Sequence, residues 1–313
     1  MNYCIDPHSP LTAEVRRIAS EEVDAALEDL TAARTEPEVR LHECRKHLKR
    51  LRALYRLVRS ADQGFFRAEN ARFRDVAHSL AGGREATALI ETVDRLAKEF
   101  PEEACSGELA GVRKALVSRR DALLHPDTGL HIDIEVAIAS CQRGRAALAF
   151  FKLPDKPQGS ADLLAKGAKK AMRKAGKALA AASKNGTEEN FHELRKAVKA
   201  HWMQMMLLTD FWPPPVKPRR KEIDLLGEHL GELNDLAVMR RVLVEESAKL
   251  GSRKEIALLE RLIKRSEKRL RKQSLVEAAD LFEDKPGKAT RKLAKNYKTE
   301  AKAEKKSDEL VES

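Results

Sequence analysis

Residues 42–52 read HECRKHLKRLR and hold two histidines, five lysines or arginines and one acid. Arg offers phosphate oxygens a bidentate fork, and Lys offers a mobile point charge. His42, Arg45, Lys49, Arg52, Arg56 and Arg59 recur at helical spacing, so they share one face. Lys46 and Arg50 widen it, and Glu43 is the only acid between Leu41 and Ser60. Like charges three or four residues apart each cost ~0.2–0.5 kcal/mol, so five successive pairs cost roughly 1–2 kcal/mol at low salt. An anion lying along the face would relieve that cost; a plain solvated face has no need of it. The apolar residues Leu41, Cys44, Leu48, Leu51, Tyr55 and Val58 each precede or flank a basic one. One residue is ~100° of rotation, so the basic stripe adjoins the buried face and is placed to line a groove between helices.

The pattern returns 150 residues later in FHELRKAVKAHWMQMMLL. His192, Arg195, Lys196 and Lys199 match His42, Arg45, Lys46 and Lys49. The offset continues without a gap: Phe73, Val76 and Leu80 match Ile223, Leu226 and Leu230. After Lys199 the second stripe loses its charge, since Arg52, Arg56 and Arg59 are matched by Trp202, Met206 and Thr209. A third cationic run, Lys166, Lys169, Lys170, Arg173, Lys174 and Lys177, has Asp162 as its only nearby acid. Lys217, Arg219, Arg220 and Lys221 crowd the start of a later helix, where the N-terminal dipole also favours anions. A cation every turn over several turns suits a chain of phosphates better than one small metabolite.

These stripes sit on a chain of 313 residues with net charge +11, 35% charged residues and 4% aromatics. Ala, Leu, Lys, Arg and Glu favour helix, and the periodicity predicts helices over 11–34, 38–60, 66–81, 85–99, 105–124 and 133–152, then 161–184, 188–211, 219–232, 235–250 and 253–281. Thr35 and Glu38 suggest a capping box, and Asn234 suggests a cap after a short break. LAGGRE reads as a loop between helices, and PPPVKP breaks the second half. The expected fold is all-α, an internal duplication forming two antiparallel four-helix bundles around a basic cavity: a first repeat over 1–153, a second over 160–283, and a basic, disordered tail over 284–313.

Other chemistry finds less support. The histidines of HECRKH are five apart, ~140° round a helix, which is wrong for a zinc-protease motif, and no metal site is expected. No GxxxxGK[ST] loop occurs. Cys4, Cys44, Cys105 and Cys141 form no CxxC and are expected to be free thiols. The first residues lack a basic region followed by an apolar run, and no apolar stretch approaches ~18 residues, so neither a signal peptide nor a membrane partner is expected. The low aromatic content argues against single-strand nucleic acid recognition.

The HxxRKxxK core, present twice, together with LGEHLGELNDLAVMRRVL, resembles the CHAD domain, the conserved histidine α-helical domain, over roughly residues 11–281. The resemblance implies paired four-helix bundles around a basic cavity that binds inorganic polyphosphate. It also implies a cytoplasmic location, often at polyphosphate granules alongside other granule proteins, and no cofactor. His42, Arg45, Lys46, Lys49 and Arg52, with His192, Arg195, Lys196 and Lys199, would be cavity residues. Some relatives carry a fused triphosphatase domain with an ExExK motif; none is found here, so binding without catalysis is expected. Nucleic-acid binding through the same surface is the alternative.

Overall fold

The computed structural model describes residues 2–104, 107–125, 130–213, 216–283 and 285–311. Cys105, Pro214, Pro215 and the side chain of Lys217 fall outside what is described. Every regular element among the described residues is helical. The order is α1 (Leu11–Ala32), α2 (Pro37–Val58), α3 (Gln63–Ser79), α4 (Gly82–Glu99), α5 (Ala110–Leu124), α6 (Leu130–Ala147), a 3-10 turn (Leu148–Phe150), α7 (Pro157–Lys184), α8 (Glu188–Leu207), α9 (Val216–Leu250), α10 (Arg253–Leu281) and α11 (Pro286–Val311).

The apolar stripes select the neighbours. In α2, Leu41, Cys44, Leu48, Leu51, Leu54 and Val58 are all buried. Helices α1, α2, α3 and α6 close one ring of four, and α7, α8, α9 and α10 close another. The pairings α1 with α2, α2 with α3, α4 with α5 and α1 with α6 have counterparts in α7 with α8, α8 with α9, α9 with α10 and α7 with α11. The rings meet where α2 touches α7 and α8. Gly167 makes that approach possible: a Cβ there would lie 1.9 Å from the Leu57 carbonyl oxygen.

Several sequence expectations are corrected. Residues 286–311 are helical, so the tail beyond 284 is not a disordered segment over that range. α11 docks on α7 with Thr290, Leu293 and Tyr297 buried, and the Tyr297 ring meets Phe211 edge-on at 5.0 Å. The stripe was thin because alanines fill most of its other apolar positions. Helices 219–232 and 235–250 are one helix, α9, whose irregularity falls at Glu246. Asn234 lies inside it and caps nothing; its Oδ1 sits 2.8 Å from His192 Nδ1. The glycines of LAGGRE open α4. The capping box at Thr35 does not form: Thr35 donates to the Ala32 carbonyl, and Glu38 accepts from Thr87. Finally, α4 and α5, assigned by sequence to the first repeat, pack against α9 and α10. Ser266 and Arg269 both reach Glu99, at 2.9 and 2.8 Å, and Gly111 N–H donates to Glu255 at 2.8 Å.

Candidate anion-binding site

A trough of about 550 Å³ lies at the junction of the two rings. Helix α2 contributes Lys49, Arg52, Arg56 and Arg59, and α3 adds Arg74. Helix α7 contributes Lys170 and Lys174, and α8 contributes Arg195, Lys196 and Lys199. The floor is small or uncharged: Gly167, Ala171, Ala197, Ala200, Met203 and Gln204. Ten of these sixteen lining residues are basic and none is acidic.

At the rim some of this charge is met. Arg74 pairs with Asp75 at 2.8 Å, Lys174 with Glu193 at 3.6 Å, and Lys196 with Glu193. The half-buried Arg52, Arg56, Arg59 and Arg195, and the exposed Lys170, make no ion pair with any described residue. Arg52 donates only to Asn70 Oδ1, at 3.2 Å. Arg59 lies over the Phe66 ring at 6.0 Å. Arg195 Nε is buried without a hydrogen-bond partner, the kind of orphan donor that a native structure seldom leaves without a use.

The cations press on one another. Burial, then Arg56 and Arg74, push Arg52 down to about 10. Burial and Arg59 lower Arg56; burial, Arg59 and Lys166 lower Lys170. Burial lowers Arg195, with Asp235 opposing. Burial and Arg195 lower Lys199, while Asp224, Asp235 and Glu228 of α9 hold it up. The arginines stay charged at neutral pH, so the trough holds a concentrated positive field against a low-dielectric wall.

Of the residues singled out from the sequence, Lys49, Arg52, Arg56, Lys170, Arg195, Lys196 and Lys199 meet here. The rest do not line the trough. Arg45 bonds the Ala77 carbonyl and ties α2 to α3. Lys46 is paired with Glu43 at 2.7 Å. Arg50 turns to Glu22, at 3.7 Å, and to the Tyr3 ring. His42 lies a full turn and more before the first trough residue of α2. His192 lines a separate 190 Å³ pocket whose walls include Glu188, Glu189 and Glu267, a poor setting for phosphate. Lys166 and Arg173 lie exposed on α7 outside the trough, and Lys169 turns toward α11. Arg219 and Arg220 are half-buried at the start of α9, Arg219 close enough to His201 to depress its pKa. Two straight helices that cross can face each other along only part of their length, so the α2 stripe divides: its first turns serve α3, its later turns the trough.

Sequence reasoning passed over Arg74 as a site residue, and it carried Arg59 and Lys174 as members of cationic runs only. Those two could have been found by extending the α2 and α7 stripes by one step. Arg74 gave no signal, because it follows from where α3 packs.

Among the described residues no group of three or more His, Cys, Asp and Glu side chains could hold a metal ion. No described helix is long and apolar enough to cross a membrane. Cys4, Cys44 and Cys141 are buried and unpaired as disulfides.

Comparison with known proteins agrees with this architecture. PptA from Streptomyces chartreusis superposes with a TM-score of 0.63 at 16% identity, covering 88% of this chain and all of that one. The CHAD domain from the plant Ricinus communis gives a TM-score of 0.56 at 16% identity, covering 91% and 96%. At such identity these likenesses speak to fold alone. A search of curated protein sequences found no match. The CHAD domain family model matches residues 17–244, which takes in both HxxRKxxK segments and every helix that lines the trough. The chain belongs to the CHAD domain family.

Proposed function

We propose that the trough binds inorganic polyphosphate and does so without turning it over. One observation carries the reading: cations from four helices converge on a single cavity whose lining contains no carboxylate. Such an arrangement raises the free energy of the empty protein and is relieved when phosphate oxygens take the place of water and counterions. A linear polymer of phosphates matches a trough with a cation at each helical turn. Membership of a family whose members bind polyphosphate supports the same ligand. The lining lacks a side chain suited to act as general base or to hold a divalent cation, which favours binding over hydrolysis. Association with polyphosphate granules, and with proteins gathered there, would follow from the binding itself.

The test is a titration with long-chain polyphosphate at two salt concentrations, with duplex DNA and RNA as competitors. Engagement of five unpaired cations predicts a slope of log K against log salt of about −4, at roughly −0.7 to −0.9 per phosphate neutralised. Nucleic acid should compete poorly at equal phosphate concentration. Binding indifferent to salt, or ready displacement by duplex, would overturn the assignment. Release of orthophosphate in the presence of Mg²⁺ would overturn the non-catalytic half of it.

A further inference from the structure

We propose that the cationic surface continues out of the trough, across the outer face of α7 and onto α11, as a second segment of the same polyanion track. The proposal rests on the trough being a polyphosphate site and extends it to a face whose α11 half lies beyond the matched segment 17–244.

On α7, Lys170 and Lys174 line the trough. At ~100° per residue, Lys166, Arg173 and Lys177 fall on the adjoining strip, and all three are exposed. Lys170 is depressed partly by Arg59 on one side and Lys166 on the other, so it belongs to both surfaces. Next around α7 comes Lys169, whose Nζ lies 3.8 Å from where a Cβ on Gly287 would sit, in the first turn of α11. Lys298 Nζ reaches Gln158 Oε1 at 3.1 Å farther along the same seam. Lys169 and Gln158 are three turns apart on α7, as are Gly287 and Lys298 on α11, so the two helices run antiparallel with this edge shared. Just beyond the seam α11 turns Lys288, Arg291 and Lys295 outward, all exposed.

Lys166, Arg173, Lys177, Lys288, Arg291 and Lys295 make no ion pair with a described residue. Asp162, the one acid on α7, is held by Gln158 at 2.7 Å. Glu300 lies half a turn round α11 from Arg291, on the far edge. One exposed edge of α10 mixes signs: Arg265 pairs with Glu103 and Arg269 with Glu99. The strip over α7 and α11 does not, which marks it as a surface for an anion from outside. Lys166 to Lys177 spans ~16 Å of helix and Lys288 to Lys295 ~10 Å. Only a long chain could occupy trough and strip together, and once held in the trough its free end would meet the strip at high effective concentration.

The full-length chain and a Lys288→Glu, Arg291→Glu, Lys295→Glu variant should be titrated with tripolyphosphate and with long-chain polyphosphate. The variant should lose about tenfold or more in long-chain affinity while its tripolyphosphate affinity stays within about twofold. The corresponding Gln triple, with helicity followed by circular dichroism, should show a smaller loss in the same direction. Unchanged long-chain affinity, or equal losses for both ligands, overturns the proposal. Arg52→Glu with Arg56→Glu should lose both ligands; if it keeps both, the trough reading itself fails, whatever the α11 variants do.

Discussion

Arg52→Met should make the protein more stable and a poorer polyphosphate binder at once. In the unfolded chain Arg52 is hydrated and titrates as an ordinary arginine; in the trough, burial and its neighbours bring it down to about 10. The folded-state value is lowered for a cation, so folding is penalised at every pH below about 10, and the penalty fades only as pH rises from there toward the ordinary arginine value. At ~1.36 kcal/mol per unit the ceiling is about 3 kcal/mol, and screening at a half-open site reduces it. Removing the guanidinium also forfeits the bond to Asn70, worth about 1 kcal/mol. Met keeps an unbranched apolar stem at similar reach. The net expectation is a gain of about 1–2 kcal/mol at neutral pH and low salt, shrinking as salt rises. Urea denaturation of both proteins, with and without long-chain polyphosphate, gives both quantities. Ligand stabilises the folded state by RT ln(1 + [L]/Kd), so the polyphosphate-induced gain should be smaller in the variant. A variant that is less stable at low salt, yet gains as much from polyphosphate as the wild type, would show that Arg52 is a structural residue and refute the reasoning.

Two further outcomes are expected. Gly167→Ala places a methyl 1.9 Å from the Leu57 carbonyl oxygen, with backbone atoms on both sides of the clash, so α7 must move off α2; it should cost about 1–3 kcal/mol in thermal unfolding and weaken polyphosphate binding as the walls part, and an unperturbed variant would refute the close approach. His201 is 3% exposed, packed against Trp212 and Phe282, and burial, then Arg219, bring its pKa down to about 4. The unfolded state therefore binds the extra proton between pH 6.5 and 4, and the folded protein should lose up to about 3 kcal/mol across that window; His201→Leu should flatten this part of the profile, and an unchanged profile would sink the claim.

Much of the fold was open to sequence reading because apolar periodicity reports which face is buried, whatever the partner. That is why α2 and α8 fall where the Leu41 and Phe191 stripes put them, to within a few residues. Periodicity says nothing of which helix covers a face, so the lodging of α4 and α5 against α9 and α10 could not be read. It also fails where small residues do the packing. Among the described residues Ala289, Ala294 and Ala301 carry α11 beside two large anchors, Leu293 and Tyr297, and in a lysine-rich background such a helix looks like a solvated tail. Asn234 misled for the opposite reason. An Asn between apolar runs is usually a local backbone cap, and here it spends its amide on His192, 42 residues away.

The site divides along the same line. The charges of Lys49, Arg52 and Arg56 were legible because a stripe beside the buried face must enter a groove or crowd its neighbours. Their use was not, because a stripe several turns long outruns the crossing helix. The structure separates the two by asking what each cation does in the absence of a ligand. Arg45, Lys46 and Arg50 are already spent on Ala77, Glu43 and Glu22. The Lys46 pairing, and that of Lys196 with Glu193, could have been foreseen from the i, i+3 spacing in HExxK. Arg52, Arg56, Arg59, Lys170 and Arg195 form no ion pair with a described residue, and the four arginines are also partly withdrawn from water, an arrangement that costs the empty protein stability. A fold under no demand for an anion could relieve it with one carboxylate on Ala171 or Ala200, both of which already face the trough. Ala200→Glu therefore poses the question directly. It should raise stability and depress polyphosphate affinity together, whereas a rise in stability with affinity intact would mean that the field at the centre of the trough is not what holds the polymer.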